Sequence, residues 1–116
     1  MATLRMIEAS SLPPSQSISL LAGDWPVLVC RTEKGLRAVI DRCSHADTPL
    51  AGGRIRRGRI ACPLHGAMFD LDTGTCIGAA YRPLQTFPVA EVDDWIEVTI
   101  PDDPPPAYLR AVSTAR

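Results

Sequence analysis

The sequence predicts an all-β protein, because its apolar residues fall in short runs rich in β-branched side chains, most runs lie close to glycine or proline, and no segment sustains a 3.6-residue period. The chain is 116 residues long, 46% hydrophobic and 22% charged, which suits a single globular domain. The runs are Ile18–Leu21, Val27–Cys30, Leu36–Ile40, Leu84–Val92 and Trp95–Ile100. After a first strand, Ser10-Ser11-Leu12-Pro13-Pro14 has room for one short helical turn, although the paired prolines favour a loop. Glu33-Lys34-Gly35, between two apolar runs, supplies hairpin chemistry. Residues 41–83 differ in texture: Gly52, Gly53, Gly58, Gly66, Gly74 and Gly78 all lie there, a density that suits tight loops wrapped around something. Residues 94–100 alternate with a period close to two, as a half-buried strand does. The flanks, 1–40 and 84–100, are expected to build an antiparallel sandwich or barrel base from which the 41–83 section projects, all within one domain spanning 1–100. Beyond it, Pro101-Asp102-Asp103-Pro104-Pro105-Pro106 cannot continue a ladder, so residues 101–116 read as a proline-rich tail.

Charge and composition exclude several functions. Twelve Lys and Arg stand against thirteen Asp and Glu, and the chain has only two Trp, two Tyr and two Phe, so it has neither a basic footprint nor base-stacking aromatics for nucleic acid. No window of about 18 apolar residues could span a membrane, and Met1-Ala2-Thr3-Leu4-Arg5 lacks a signal-peptide pattern. A cytoplasmic location is expected. Thiols stay reduced there, so the four cysteines read as metal ligands or core residues rather than a disulfide framework.

Both histidines stand beside cysteines, in Cys43-Ser44-His45 and in Cys62-Pro63-Leu64-His65, giving C-x-H, sixteen residues, then C-x2-H. Thiolate and imidazole ligate soft and borderline metals, and one of each on two loops makes a clamp that closes when the fold joins them. Zinc fingers usually pair cysteine with cysteine and histidine with histidine, whereas each pair here is mixed. Mixed pairs suit a binuclear centre, because each loop can send its cysteine to one iron and its histidine to the other.

These residues resemble the Rieske iron–sulfur family, and the likeness extends through Cys62-Pro63-Leu64-His65-Gly66-Ala67-Met68-Phe69-Asp70, Asp72-Thr73-Gly74 and Arg82-Pro83-Leu84. The resemblance implies a Rieske fold with a small cluster-binding subdomain at about 41–83. It also implies one [2Fe-2S] cluster, with Cys43 and Cys62 on the inner iron and His45 and His65 on the outer, solvent-facing one. Members of the respiratory type carry two further cysteines, joined as a disulfide, and a serine and a tyrosine that donate to cluster sulfurs. Here those positions are Thr48, Leu64, Ala67 and Phe69, so disulfide and hydroxyl donors are both missing. Without such donors the reduced state is less favoured, which places the expected midpoint at about −150 mV rather than about +300 mV.

The likeness is to the soluble ferredoxin components of bacterial aromatic ring-hydroxylating dioxygenase systems. It implies a monomeric carrier that takes single electrons from an NAD(P)H-dependent reductase and passes them to a terminal oxygenase, with no nucleic-acid or membrane partner. The chain lacks a nucleotide-binding glycine fingerprint and has no spare histidine for a mononuclear iron, so it is not expected to be an enzyme itself. A small Rieske subunit of another oxidoreductase, such as a nitrite reductase, is the alternative within electron transfer. A zinc-stabilised interaction module is the alternative from another class. Cys30, in an apolar strand, and Cys76, in a turn, read as structural. Gly78–Pro83 resembles a third loop that limits water access, with Ala79 where many members carry proline. Pro49, Leu50, Leu64 and Gly66 are expected to rim the histidines. Arg54, Arg56, Arg57 and Arg59 read as a solvated hairpin turn, or as a patch that steers an acidic partner.

Overall fold

Among the residues that the computed structural model describes, 1–43, 48–64 and 66–106, eleven strands pair into three antiparallel sheets. The all-β expectation holds. In chain order the strands are β1 (Ala2–Glu8), β2 (Ser17–Ala22), β3 (Trp25–Thr32), β4 (Gly35–Ile40), β5 (Arg54–Arg56), β6 (Arg59–Ala61), β7 (Met68–Asp70), β8 (Cys76–Ile77), β9 (Thr86–Phe87), β10 (Val89–Val92) and β11 (Trp95–Ile100). The first sheet has the order β1-β11-β10, the second β2-β3-β4-β9 and the third β5-β6-β7-β8. No helix among the described residues is long and apolar enough to cross a membrane.

The first two sheets form the base. On β11, Ile96, Val98 and Ile100 are buried and Trp95, Glu97 and Thr99 half-buried, the alternation read from the sequence. β3 is an interior strand of its sheet, and its first six residues, Trp25 to Cys30, are all buried, so it shows no alternation. The β3–β4 hairpin turns at Glu33 and Lys34 with Thr32 paired to Gly35. Thr32 Oγ1 accepts from the Lys34 amide at 3.1 Å and donates to the Gly35 carbonyl at 2.8 Å. After β1 the chain makes one 3-10 turn, Ala9–Ser11, closed by Leu12 N–H donating to the Ala9 carbonyl at 3.2 Å.

One strand expectation is corrected. Leu84–Val92 is not one strand. β9 pairs with β4 in the second sheet and β10 with β11 in the first, and Pro88 stands between them. Proline has no N–H for a ladder, and here its carbonyl accepts from Thr99 N–H at 2.9 Å as the chain passes from one sheet to the other. This change of sheet joins the two halves of the base around a core in which Trp25 and Phe87 meet edge to face, centroids 5.6 Å apart. Residues 101–106, read as the start of a tail, lie against that base: Trp25 Nε1 donates to the Asp103 carbonyl at 3.2 Å, and Pro105 is fully buried.

The third sheet buries one face. The register aligns Ile55, Ile60, Phe69 and Cys76 in a single row across its four strands, and all four are buried. Asp72, after β7, ties the sheet to the base through ion pairs with Arg37 and, at 3.5 Å, with Lys34. The Arg37 hydrogen bond, helped by the charges of Arg37 and Lys34, holds the Asp72 carboxyl below the usual carboxylate range.

Candidate metal centre

Two loops grow from the third sheet and its neighbour β4. The first leaves β4 through Asp41, Arg42 and Cys43, all buried, and reaches β5 after Gly53. Asp41 closes it: Oδ1 accepts from the amides of Leu50 at 2.8 Å and Ala51 at 3.0 Å, while Oδ2 accepts from Ser19 Oγ at 2.6 Å. A buried carboxylate is costly unless its lone pairs are satisfied, and here three donors satisfy it. One side chain therefore pins both ends of the loop and anchors them to β2. The Cys43 amide donates to the Thr48 carbonyl at 2.7 Å.

The second loop is tighter. It runs from β6 to β7 with the Cys62 amide donating to the Ala67 carbonyl at 2.7 Å and the Gly66 amide to the Cys62 carbonyl at 2.9 Å. The two loops interlock at Gly53, where an added Cβ would lie 2.2 Å from the Ala61 carbonyl oxygen and 3.0 Å from that of Leu50. The Gly78–Pro83 segment is exposed throughout. It is tied down at its far end, where the Leu84 amide donates to the Gly74 carbonyl at 2.7 Å.

Of the four ligands expected from the sequence, Cys43 and Cys62 are buried, 0% and 2% exposed, each at the head of its loop and neither in a disulfide. His45 and His65 lie outside the described residues. Among the described residues no group of three or more metal-ligating side chains comes together. The donor set nonetheless fits an iron–sulfur cluster: two unbridged, buried thiols head two interlocked loops, with both backbones held by short hydrogen bonds. The other two cysteines are placed differently. Cys30 is fully buried in β3, and desolvation, reinforced by the charge of Asp41, pushes its thiol up to about 12, so it stays protonated. Cys76 sits in the buried row of the third sheet beside Phe69.

Several neighbours refine the sequence reading. Leu50, expected in an apolar rim, is fully buried, whereas Leu64 is 57% exposed. Phe69 is fully buried, and Ala67 carries no side-chain donor. Asp41, the residue that shapes the first loop, escaped sequence reading. The only signal for it is a carboxylate placed directly after the apolar run Leu36–Ile40.

Comparison with known proteins gives a consistent picture. The model of the family described as "Rieske [2Fe-2S] domain" matches residues 3–88. The ferredoxin subunit of anthranilate 1,2-dioxygenase from Burkholderia cepacia is 35% identical over 81 residues, covering 69% of this chain and 75% of that protein. Among solved structures, a chain from the complex of reduced oxygenase and oxidized ferredoxin in carbazole 1,9a-dioxygenase superposes with a TM-score of 0.75. It is 28% identical and covers 83% of this chain and 91% of its own. A chain described as the small subunit of an NADH-dependent nitrite reductase, from Mycobacterium tuberculosis, shares the fold at a TM-score of 0.76. It is 20% identical, covering 84% of this chain and 93% of that one.

Proposed function

This chain belongs to the Rieske [2Fe-2S] family, and from that premise we propose that it is a one-electron carrier between an NAD(P)H-dependent reductase and a terminal aromatic ring-hydroxylating oxygenase. The cofactor is a Rieske-type [2Fe-2S] cluster. In this reading Cys43 and Cys62 would hold one iron, and His45 and His65 the other. When bound, the cluster supplies one-electron exchange without proton or group transfer at the protein.

The chain's own residues then have three tasks. Asp41 and Gly53 set the spacing of the two loops. The buried row Ile55, Ile60, Phe69 and Cys76 keeps water from the thiol side. Leu64, exposed in the second loop, offers a small apolar contact beside His65, enough for the brief encounter a shuttle needs. The oxidation chemistry belongs to the partner, and the cytoplasm is where such a partner and a nicotinamide-driven reductase would meet.

The observation that carries the reading is the pair of buried, unbridged cysteines heading two interlocked loops in a chain whose family match spans both. Its test is reconstitution: the purified holoprotein is mixed with NADH, a ferredoxin reductase and each member of a panel of terminal oxygenases with its aromatic substrate. Hydroxylated product that depends on this protein is the expected result with at least one oxygenase. Reduction of the protein with no product from any oxygenase would exclude the oxygenase-linked role.

A further inference from the structure

The outward face of the third sheet is unlike the rest of the surface. Its register places Arg56 directly opposite Arg59, and the next row reads Arg54, Ala61, Met68 and Ile77 across the four strands. The three arginines are exposed, as is Arg57, and Met68 and Ile77 are each 36% exposed. Among the described residues none of these four arginines has an ion-pair partner. The nearby carboxylates of Asp70, in register with Arg59, and of Glu33, across a groove from Arg56 and Arg57, form no ion pair with them.

This arrangement works against the stability of the chain. Like charges directly opposite each other on an antiparallel pair repel. Arg57 occupies the turn at φ 54°, followed by Gly58 at φ 74°. Two positive φ values define the hairpin turn that prefers asparagine or glycine, and a side chain like arginine there costs about 1 kcal/mol. Protection of an exposed strand edge would explain charge on β5 but not Arg59 on the interior strand β6. The charge is also local: the chain carries −1 overall, and the opposing acidic side chains Glu91, Asp93, Asp94, Asp102 and Asp103 are exposed on the base.

We propose that this face, Arg54, Arg56, Arg57 and Arg59 around Met68 and Ile77, is the docking surface for an acidic patch on the protein with which the chain exchanges electrons. Naming the partner as an electron-exchange protein rests on the carrier reading above. Arginine and methionine at the centre with charge around them is the composition of protein interfaces, and Arg56, Arg57, Arg59 and Met68 line a shallow groove of about 280 Å³. Ala61 lies in the same row and is followed directly by Cys62, so a partner seated here sits one residue from a proposed ligand. Carboxylates from the partner relieve the Arg56–Arg59 repulsion, and the complementary field raises the encounter rate.

The test uses reduced holoprotein and two one-electron acceptors of opposite charge, an acidic cytochrome b5 and a basic cytochrome c. One electron leaves the protein and converts ferric to ferrous haem in either case, and stopped flow reads the rate as salt is raised. The expected wild-type result is a rate to the acidic acceptor that falls with salt and a slower rate to the basic one that rises. R56E/R59E is expected to slow the acidic reaction about tenfold at low salt and to reverse both slopes. Its visible spectrum should be unchanged, and R56Q/R59Q should fall between. Salt slopes set by the net charge of −1 alone, or unchanged by the double reversal, would overturn the proposal. So would retention on immobilised duplex DNA that the reversal abolishes while both cytochrome rates stay the same. Because neither cytochrome is a biological partner, failure of the oxygenase panel would remove the carrier reading without altering what these slopes report.

Discussion

Cys43→Ser and Cys62→Ser are each expected to yield a colourless protein with near-complete loss of iron, whereas Cys30→Ser and Cys76→Ser stay red-brown. Position and ionisation separate the two pairs of cysteines. A ligand must reach the metal as thiolate, and Cys43 and Cys62 head the two loops that interlock at Gly53. Cys30, its thiol raised to about 12 by desolvation and by Asp41, does not ionise at neutral pH. Cys76 packs in the row behind the sheet. Serine at Cys30 places a hydroxyl in an apolar strand, so that variant should lose about 1–3 kcal/mol of stability yet keep its metal. Iron and acid-labile sulfide assays check this, with about two of each per wild-type chain and fewer than a tenth of that in the ligand variants. A metal-free Cys30 variant that remains folded, or a fully coloured Cys62 variant, would reassign the ligands. A colourless wild type holding one zinc would support the interaction-module alternative.

Gly74→Ala is the backbone substitution expected to cost most. Gly74 has a φ of 81°, and an added Cβ would lie 2.0 Å from the Leu84 carbonyl oxygen, a contact with backbone that cannot swing away. The strained φ and the clash together are expected to cost about 3 kcal/mol. The loss also breaks the Leu84 to Gly74 hydrogen bond that ties the third loop to the sheet. Gly53→Ala should act differently. Its φ is not positive, so the penalty is the 2.2 Å clash with Ala61, which forces the two cysteine-bearing loops apart. Iron should then fall more than strand content. Gly52→Ala serves as the control: its φ of 89° is strained but its Cβ meets nothing within 4 Å, so it should cost only about 1 kcal/mol. Chemical denaturation followed by circular dichroism, with iron assayed on the same samples, separates the three. Equal loss from Gly74→Ala and Gly52→Ala, with none from Gly53→Ala, would mean that φ alone, and not close approach, governs these loops.

How far the sequence was legible depended on whether a feature was local. β11 showed its alternation because one of its faces meets the core, and the hairpin at Glu33-Lys34-Gly35 was encoded in its own residues. β1 was expected as a first strand but showed no apolar run of its own, because an edge strand whose residues are all exposed or half-buried needs little apolar pattern. The break at Pro88 was hidden inside a run that stays apolar on both sides, since each half is buried against a different sheet. Cys43 and Cys62, the proposed ligand cysteines, stood out by their spacing to the histidine neighbours. Asp41 was not, because its donors come from Ser19, Leu50 and Ala51, on a distant strand and at the far end of the loop. The missing disulfide at Thr48 and Leu64 and the missing hydroxyl donors at Ala67 and Phe69 could be read from the sequence, but only the fold shows that the Cys43 and Cys62 amides are already engaged by the Thr48 and Ala67 carbonyls.

That last point sets the potential. With no hydroxyl at Ala67 or Phe69 and both cysteine amides engaged elsewhere, the described residues offer fewer hydrogen bonds to spread the charge that reduction adds, while two imidazoles in place of thiolates keep that charge smaller than in an all-cysteine cluster. A spectroelectrochemical titration of the purified holoprotein measures the outcome directly. A single one-electron midpoint at about −150 mV is the expected result, between the plant-type value of about −400 mV and the respiratory extreme of about +300 mV. A midpoint well above zero, or no redox transition at all, would contradict a low-potential Rieske carrier.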